Sequence, residues 1–186
     1  MKQLTVLCFI AIMAASLCQA KEISGISMPD TLAAGGQNLA LNGAGVRTKF
    51  FMDMYIGGLY LKQRQSDAEK IIAADEPMAL RLHIISSLIT SEKMEAATRE
   101  GFINATAGAT APLASRIEDF IAVFREKINK QDIYEFSYMP GAGTKISKNG
   151  RLKTTIQGID FKKALFGIWL CEKPAQESLK AQMLRK

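Results

Sequence analysis

The sequence predicts an α+β domain in which helices lie against one antiparallel sheet. Three observations point there. Segments of alternating apolar and polar residues occur in both halves of the chain, as at Leu80, Leu82 and Ile84. Between them Ile117, Phe120, Ile121, Phe124 and Ile128 recur at helical spacing. The order along the chain is strands, paired helices, strands, helices, which is not the regular strand–helix alternation of a parallel sheet.

The elements follow in order. Met1 to about Ala20 is read as a cleavable export signal: one lysine, an apolar run from Leu4 to Leu17, then C-Q-A before the cut. The run is short for a membrane span. Cys18 raises lipidation as the lesser alternative, because Leu17 before it is large for a lipoprotein cleavage site. The domain is then residues 21–186. Residues 23–28 read as a short strand ended by Pro29. Residues 37–48 read as a strand with a glycine-rich break at 43–45, and residues 49–61 as a long aromatic strand. Gly57 and Gly58 mark a bulge or a close backbone approach. Ser66 opens a short helix with an acidic first turn, and a strand follows Pro77. Helices are expected from Ser91 to about Ala107 and over 113–130. Strands follow at 132–139, 143–148 and 151–157, with Asn149-Gly150 as a two-residue hairpin turn. Asp160 caps a helix through Leu170, and Pro174 starts the last one.

Composition excludes several functions. Of three cysteines, Cys8 and Cys18 lie in the leader, so Cys171 has no intramolecular partner. His83 is the only histidine, which leaves a zinc, haem or Cys–His site with a single ligand or base. No cofactor or metal is expected. The chain carries +6; without Lys2 its 23 basic and 18 acidic residues leave the domain at +5. That excess favours weak attraction to anions. The basic run at 145–153 reads as a solvated hairpin, and no basic stripe interleaved with aromatics suggests nucleic acid. No segment after the leader suits a membrane span. The domain is expected to be periplasmic or secreted.

Two stretches resemble the chalcone isomerase family: L-N-G-A-G-V-R-T-K-F-F-M-D-M-Y-I-G-G-L-Y-L (41–61) and I-D-F-K-K-A-L-F-G-I-W-L-C-E-K-P-A-Q-E-S-L-K (159–180). The second is similar to the bacterial branch of that family, and the elements between them match in order. The resemblance implies an open-faced β-sandwich, a large antiparallel sheet covered by helices, with a ligand cleft between the layers. In the plant enzymes an arginine of the first motif holds the phenolate of a chalcone; by position it is Arg47 here. The enzyme's threonine falls near Tyr55. Its helical tyrosine and asparagine fall near Lys93 and Glu100, and its C-terminal hydroxyl group near Lys162 or Lys163. Only the arginine survives, which argues against chalcone cyclisation. Fatty-acid-binding members of the family keep the arginine for an anionic head group.

Arg47 is therefore the leading site residue, since its guanidinium suits a carboxylate or phenolate. The competing reading is a structural ion pair with Asp53 or Glu100. Tyr55, Tyr60 and Lys93 are further candidates for ligand binding. Tyr55 and Tyr60 differ by an odd number and point to opposite sheet faces if the strand is regular. His83, Trp169, Phe166 and Cys171 read as structural. The function expected is binding of a small amphipathic anion such as a fatty acid. The alternatives are an isomerase or lyase for another enone or phenol, using Arg47 with Tyr55 or Lys93, and a ligand-free envelope interaction protein.

Overall fold

A computed structural model describes residues 21–186; the expected leader, its cut and Cys18 lie outside them. Nine strands and five helices follow one another: β1 (Lys21–Ile23), β2 (Ile26–Met28), β3 (Thr31–Ala34), β4 (Gln37–Lys49), β5 (Met52–Leu61), α1 (Ala68–Ala73), β6 (Met78–Ile84), α2 (Ser91–Ala105), α3 (Ala114–Ala122), β7 (Ile133–Met139), β8 (Gly143–Lys148), β9 (Arg151–Ile156), α4 (Ile159–Leu170) and α5 (Glu177–Met183). Strands β3 to β9 form one seven-stranded antiparallel sheet in chain order, and β1 pairs with β2 as a separate hairpin. The architecture is the expected α+β sheet with helices.

Alternation decides which face each strand buries. In β7, Tyr134, Phe136 and Tyr138 are buried and their neighbours are half-buried. They join Leu59, Leu80, Leu82 and Ile146 under the helices, where the main core lies. There Phe120 meets Phe102 edge-on at 5.9 Å and Phe136 at 5.1 Å between ring centroids. The opposite face has a smaller core of Met28, Leu39, Ile56, Tyr60 and Ala79, with Ile23 and Ile26 of the first hairpin packed on it.

The local differences from expectation have physical causes. Residues 23–28 are interrupted at Ser24 and Gly25, both with positive φ, which turn β1 into β2. Gly43 and Gly45 do not end β4, although its pairing with β5 slips between Leu41 and Gly43; they admit α5, as a Cβ on either would overlap Gln182. Gly57 and Gly58 lie in regular pairing with β6, so the close-approach reading applies there and the bulge does not. The helix expected to reach residue 130 ends at Ala122, where Val123, Phe124 and Arg125 donate to carbonyls three residues back. Gly158, not Asp160, precedes α4; the Asp160 carboxylate pairs with Arg116 at 2.6 Å. The last helix begins at Glu177, three residues after Pro174.

Candidate functional site

The site starts from the register of β4 on β5. Arg47 lies directly opposite Tyr55, and the pairing then slips so that Thr48 meets Asp53. Met54 is the extra residue of this bulge, and its carbonyl accepts from Ile85 and Ser86 at 3.0 and 3.1 Å. The half-buried Arg47 donates from Nη1 to Gln176 Oε1 and to the Thr48 carbonyl, both at 3.0 Å. The Thr48 N–H donates to the same Gln176 oxygen at 2.8 Å. Gln176 precedes α5, whose docking on the glycines of β4 brings it here; further along that helix, Gln182 Oε1 accepts from the Val46 N–H at 3.1 Å.

Among the described residues, no ion pair within 4.0 Å involves Arg47. Asp53 instead accepts from Thr48 Oγ1 at 3.2 Å and Ser24 Oγ at 3.4 Å. Glu100 borders the same space but is exposed to solvent.

Tyr55 is buried, and its hydroxyl accepts from Trp169 Nε1 at 2.9 Å. Burial pushes the phenol's pKa up; the indole N–H and the nearby Arg47 charge offset this only in part. Tyr55 therefore keeps its proton at neutral pH. With its oxygen occupied by Trp169, it is a donor toward a ligand and a poor base.

Arg47 and Tyr55 stand where two hollows meet. The inner one, about 140 Å³, runs between sheet and helices against Leu82, Phe120, Phe124, Ile168 and Trp169, with Thr98, Glu100 and Asn104 as polar lining. The outer one, about 270 Å³, is walled mainly by Phe50, Met52, Met54, Leu88, Ile89 and Met94, with Lys49 and Lys93 at its border. Its size approaches the lower end of ligand pockets, roughly 300 Å³. Among the described residues, no three His, Cys, Asp or Glu side chains gather to hold a metal ion.

The candidates from sequence separate accordingly. Arg47 and Tyr55 come together, and Lys93 stands at the border of the outer hollow with Nζ donating to the Leu88 carbonyl at 3.1 Å. Tyr60 does not join them. It lies in the smaller core on the opposite face, and its hydroxyl donates to the Pro29 carbonyl at 3.0 Å. An odd separation on a strand without a bulge between the two tyrosines sends them to opposite sides. Lys162 is fully buried away from both hollows, donating to the carbonyls of Ile71, Ile72 and Ala74 at 3.1, 2.9 and 2.6 Å. Lys163 is exposed. His83 Nε2 lies 2.7 Å from Gln131 Oε1 on the face away from the helices. Gln176 was not foreseen: it falls within the second resembling stretch, but neither periodicity nor the resemblance gives it a role. Trp169, read as core, also borders the inner hollow.

With this geometry established, comparison with known proteins places the chain. A profile described as chalcone isomerase-like matches residues 20–185. The chain belongs to the chalcone isomerase-like family. Its fold is that of an Arabidopsis thaliana fatty-acid binding protein whose crystal structure superposes with a TM-score of 0.70, at 15% sequence identity, over 87% of this chain and 92% of that one. No curated protein sequence matches the chain. Family membership accounts for the seven-stranded sheet under helices. The Arg47–Tyr55–Gln176 corner is read from this chain's own contacts.

Proposed function

We propose that this chalcone isomerase-like protein binds a small amphipathic carboxylate, a fatty acid being the simplest, without transforming it. One observation carries the reading: a guanidinium without a carboxylate partner among the described residues faces a protonated tyrosine at the edge of an apolar hollow. The carboxylate sits between Arg47 and the Tyr55 hydroxyl, where a charge-assisted bond to the guanidinium is strongest. The alkyl chain lies along Met52, Met54, Leu88 and Ile89 in the outer hollow, away from Glu100. The Arabidopsis fatty-acid binding protein lends the ligand class plausibility through the shared fold. Chemistry on the ligand is left out because burial keeps Tyr55 protonated, so no phenolate is present to take a proton, and Lys93 Nζ is engaged by a backbone carbonyl.

Delipidated protein titrated with fatty acids of increasing length tests this. Wild type is expected to bind, the corresponding methyl esters to bind worse, and Arg47→Ala to lose roughly tenfold or more in affinity. Equal or absent binding in wild type and Arg47→Ala rejects the reading.

We also propose that the leader read at Met1 to about Ala20 sends the protein to the periplasm or the outside medium; among the described residues no helix is long and apolar enough to cross a membrane. Amino-terminal sequencing of protein recovered from the cell envelope checks that part: a mature chain starting near Lys21 supports it, and an intact Met1 rejects it.

A further inference from the structure

The tip of the β4–β5 hairpin carries two phenylalanines in a conformation and a setting that neither suits. Lys49 pairs with Met52, leaving Phe50 and Phe51 as a two-residue loop with φ of 51° and 62°. Two consecutive positive φ values define the turn that favours Asn-Gly, and a bulky residue there is an outlier. The side chains also gain little burial from the fold: Phe50 is 76% exposed and Phe51 103%. Met52 and Leu88, exposed by 43% and 40%, continue the apolar surface to the outer hollow. The charges bordering it are basic: Lys49, its ammonium 5.6 Å from the Phe50 ring centroid, and Lys93. The acid nearest in sequence, Asp53, is held by Thr48 and Ser24. Strain and exposure maintained together at one tip, beside the opening of a hollow, are features to be explained by function.

We propose that this tip docks on an anionic lipid surface, with Phe51 and Phe50 entering the headgroup boundary and Lys49 and Lys93 facing lipid phosphates. Aromatic rings with flanking lysines suit that boundary, where one side is apolar and the other wet and negatively charged. The inference rests on the amphipathic-carboxylate reading and deepens it: a docked molecule opens its outer hollow toward the membrane, so a fatty acid enters head first toward Arg47 with its tail following along the methionines.

Flotation of the purified protein with vesicles tests it, using phosphatidylcholine alone and phosphatidylcholine doped with phosphatidylglycerol. The protein is expected to float with the doped vesicles, less with the neutral ones, and less as salt rises. Phe51→Gly places the favoured residue in the turn, so it is expected to melt no lower than wild type while partitioning roughly tenfold more weakly. Wild type that stays with the soluble fraction, or Phe51→Gly that floats equally well, overturns docking. A wild-type dimer that Phe51→Gly turns into monomer also overturns it, because the tip then contacts a second copy. Titration with soluble fatty acid separates the two ideas. Phe51→Gly retaining wild-type affinity while losing flotation supports docking; loss of binding in Arg47→Ala bears only on the ligand reading.

Discussion

Trp169 of α4 gives its indole N–H to the hydroxyl of Tyr55 on β5, 2.9 Å away in the interior. This bond joins the helix layer to the sheet beside the candidate ligand corner. It also fixes the tyrosine oxygen as an acceptor from the protein, leaving its hydrogen for whatever lies near Arg47.

Tyr55→Phe removes the acceptor and leaves the indole N–H unmatched in a buried place. Leaving a buried donor unsatisfied costs about 1–3 kcal/mol. Urea denaturation of the variant should show a loss in that range with an unchanged slope. A loss near zero would mean that the indole finds another acceptor and that the bond does not organise the corner.

Gln176→Glu puts a carboxylate where an amide oxygen now receives Arg47 and the Thr48 N–H. The contact, already assisted by the guanidinium's charge, becomes an ion pair, so the fold is expected to hold or gain stability. The new carboxylate also competes for the guanidinium, and fatty-acid affinity should drop by about tenfold, roughly 1.4 kcal/mol. Calorimetric titration alongside a melting curve reads both effects. Unaltered affinity would show that Arg47 does not hold the head group.

Gly45→Ala places a methyl group against Gln182 and pushes α5 off β4. Overpacking of this kind costs about 1–3 kcal/mol. Because the same helix is preceded by Gln176, ligand binding should weaken together with stability. Amide hydrogen exchange should localise the loosening to residues 176–184, leaving β7 and β8 protected.

Lys162 gives a pH signature. Burial lowers its pKa to about 8 from 10.5. Between those values the unfolded chain binds more protons than the folded one, so this group makes stability rise with pH. The cost of burying its charge is fully present below about pH 8 and gone above 10.5. Lys162→Met removes the titration. The stability difference, wild type minus variant, should climb between those limits by up to about 1.4 kcal/mol per pH unit. A flat difference across the window would mean that the three carbonyls hold the ammonium as well as water does.

Local rules made much of this fold readable and failed where contacts are distant. The β7–β8–β9 meander follows from alternation and from Asn149-Gly150, signals contained within a few residues. The opposite orientation of Tyr55 and Tyr60 follows from strand parity. The β4–β5 turn was hidden because phenylalanines occupy positions where asparagine and glycine normally announce it, so the strand seemed to begin at residue 49 rather than 52. Arg47 was visible only through family resemblance. Its partner Gln176 stands 129 residues away, and the resembling stretch that contains it assigns it no role. Lys162 was marked only as one of two positions near the enzyme's C-terminal hydroxyl group, and only the folded chain shows it seated on the last carbonyls of α1.

Every strand of the large sheet pairs with its neighbour in the chain, so the sheet can grow hairpin by hairpin as the polypeptide is made. The exception in timing is α5, which must return from the carboxyl end to the glycines of β4. A ribosome-bound or prematurely terminated chain ending before Gln176 can thus assemble its sheet and still lack the clasp on Arg47. Of the contacts around this corner, the one between Gln176 and Arg47 is therefore among the last to form, because it waits for the segment leading into α5.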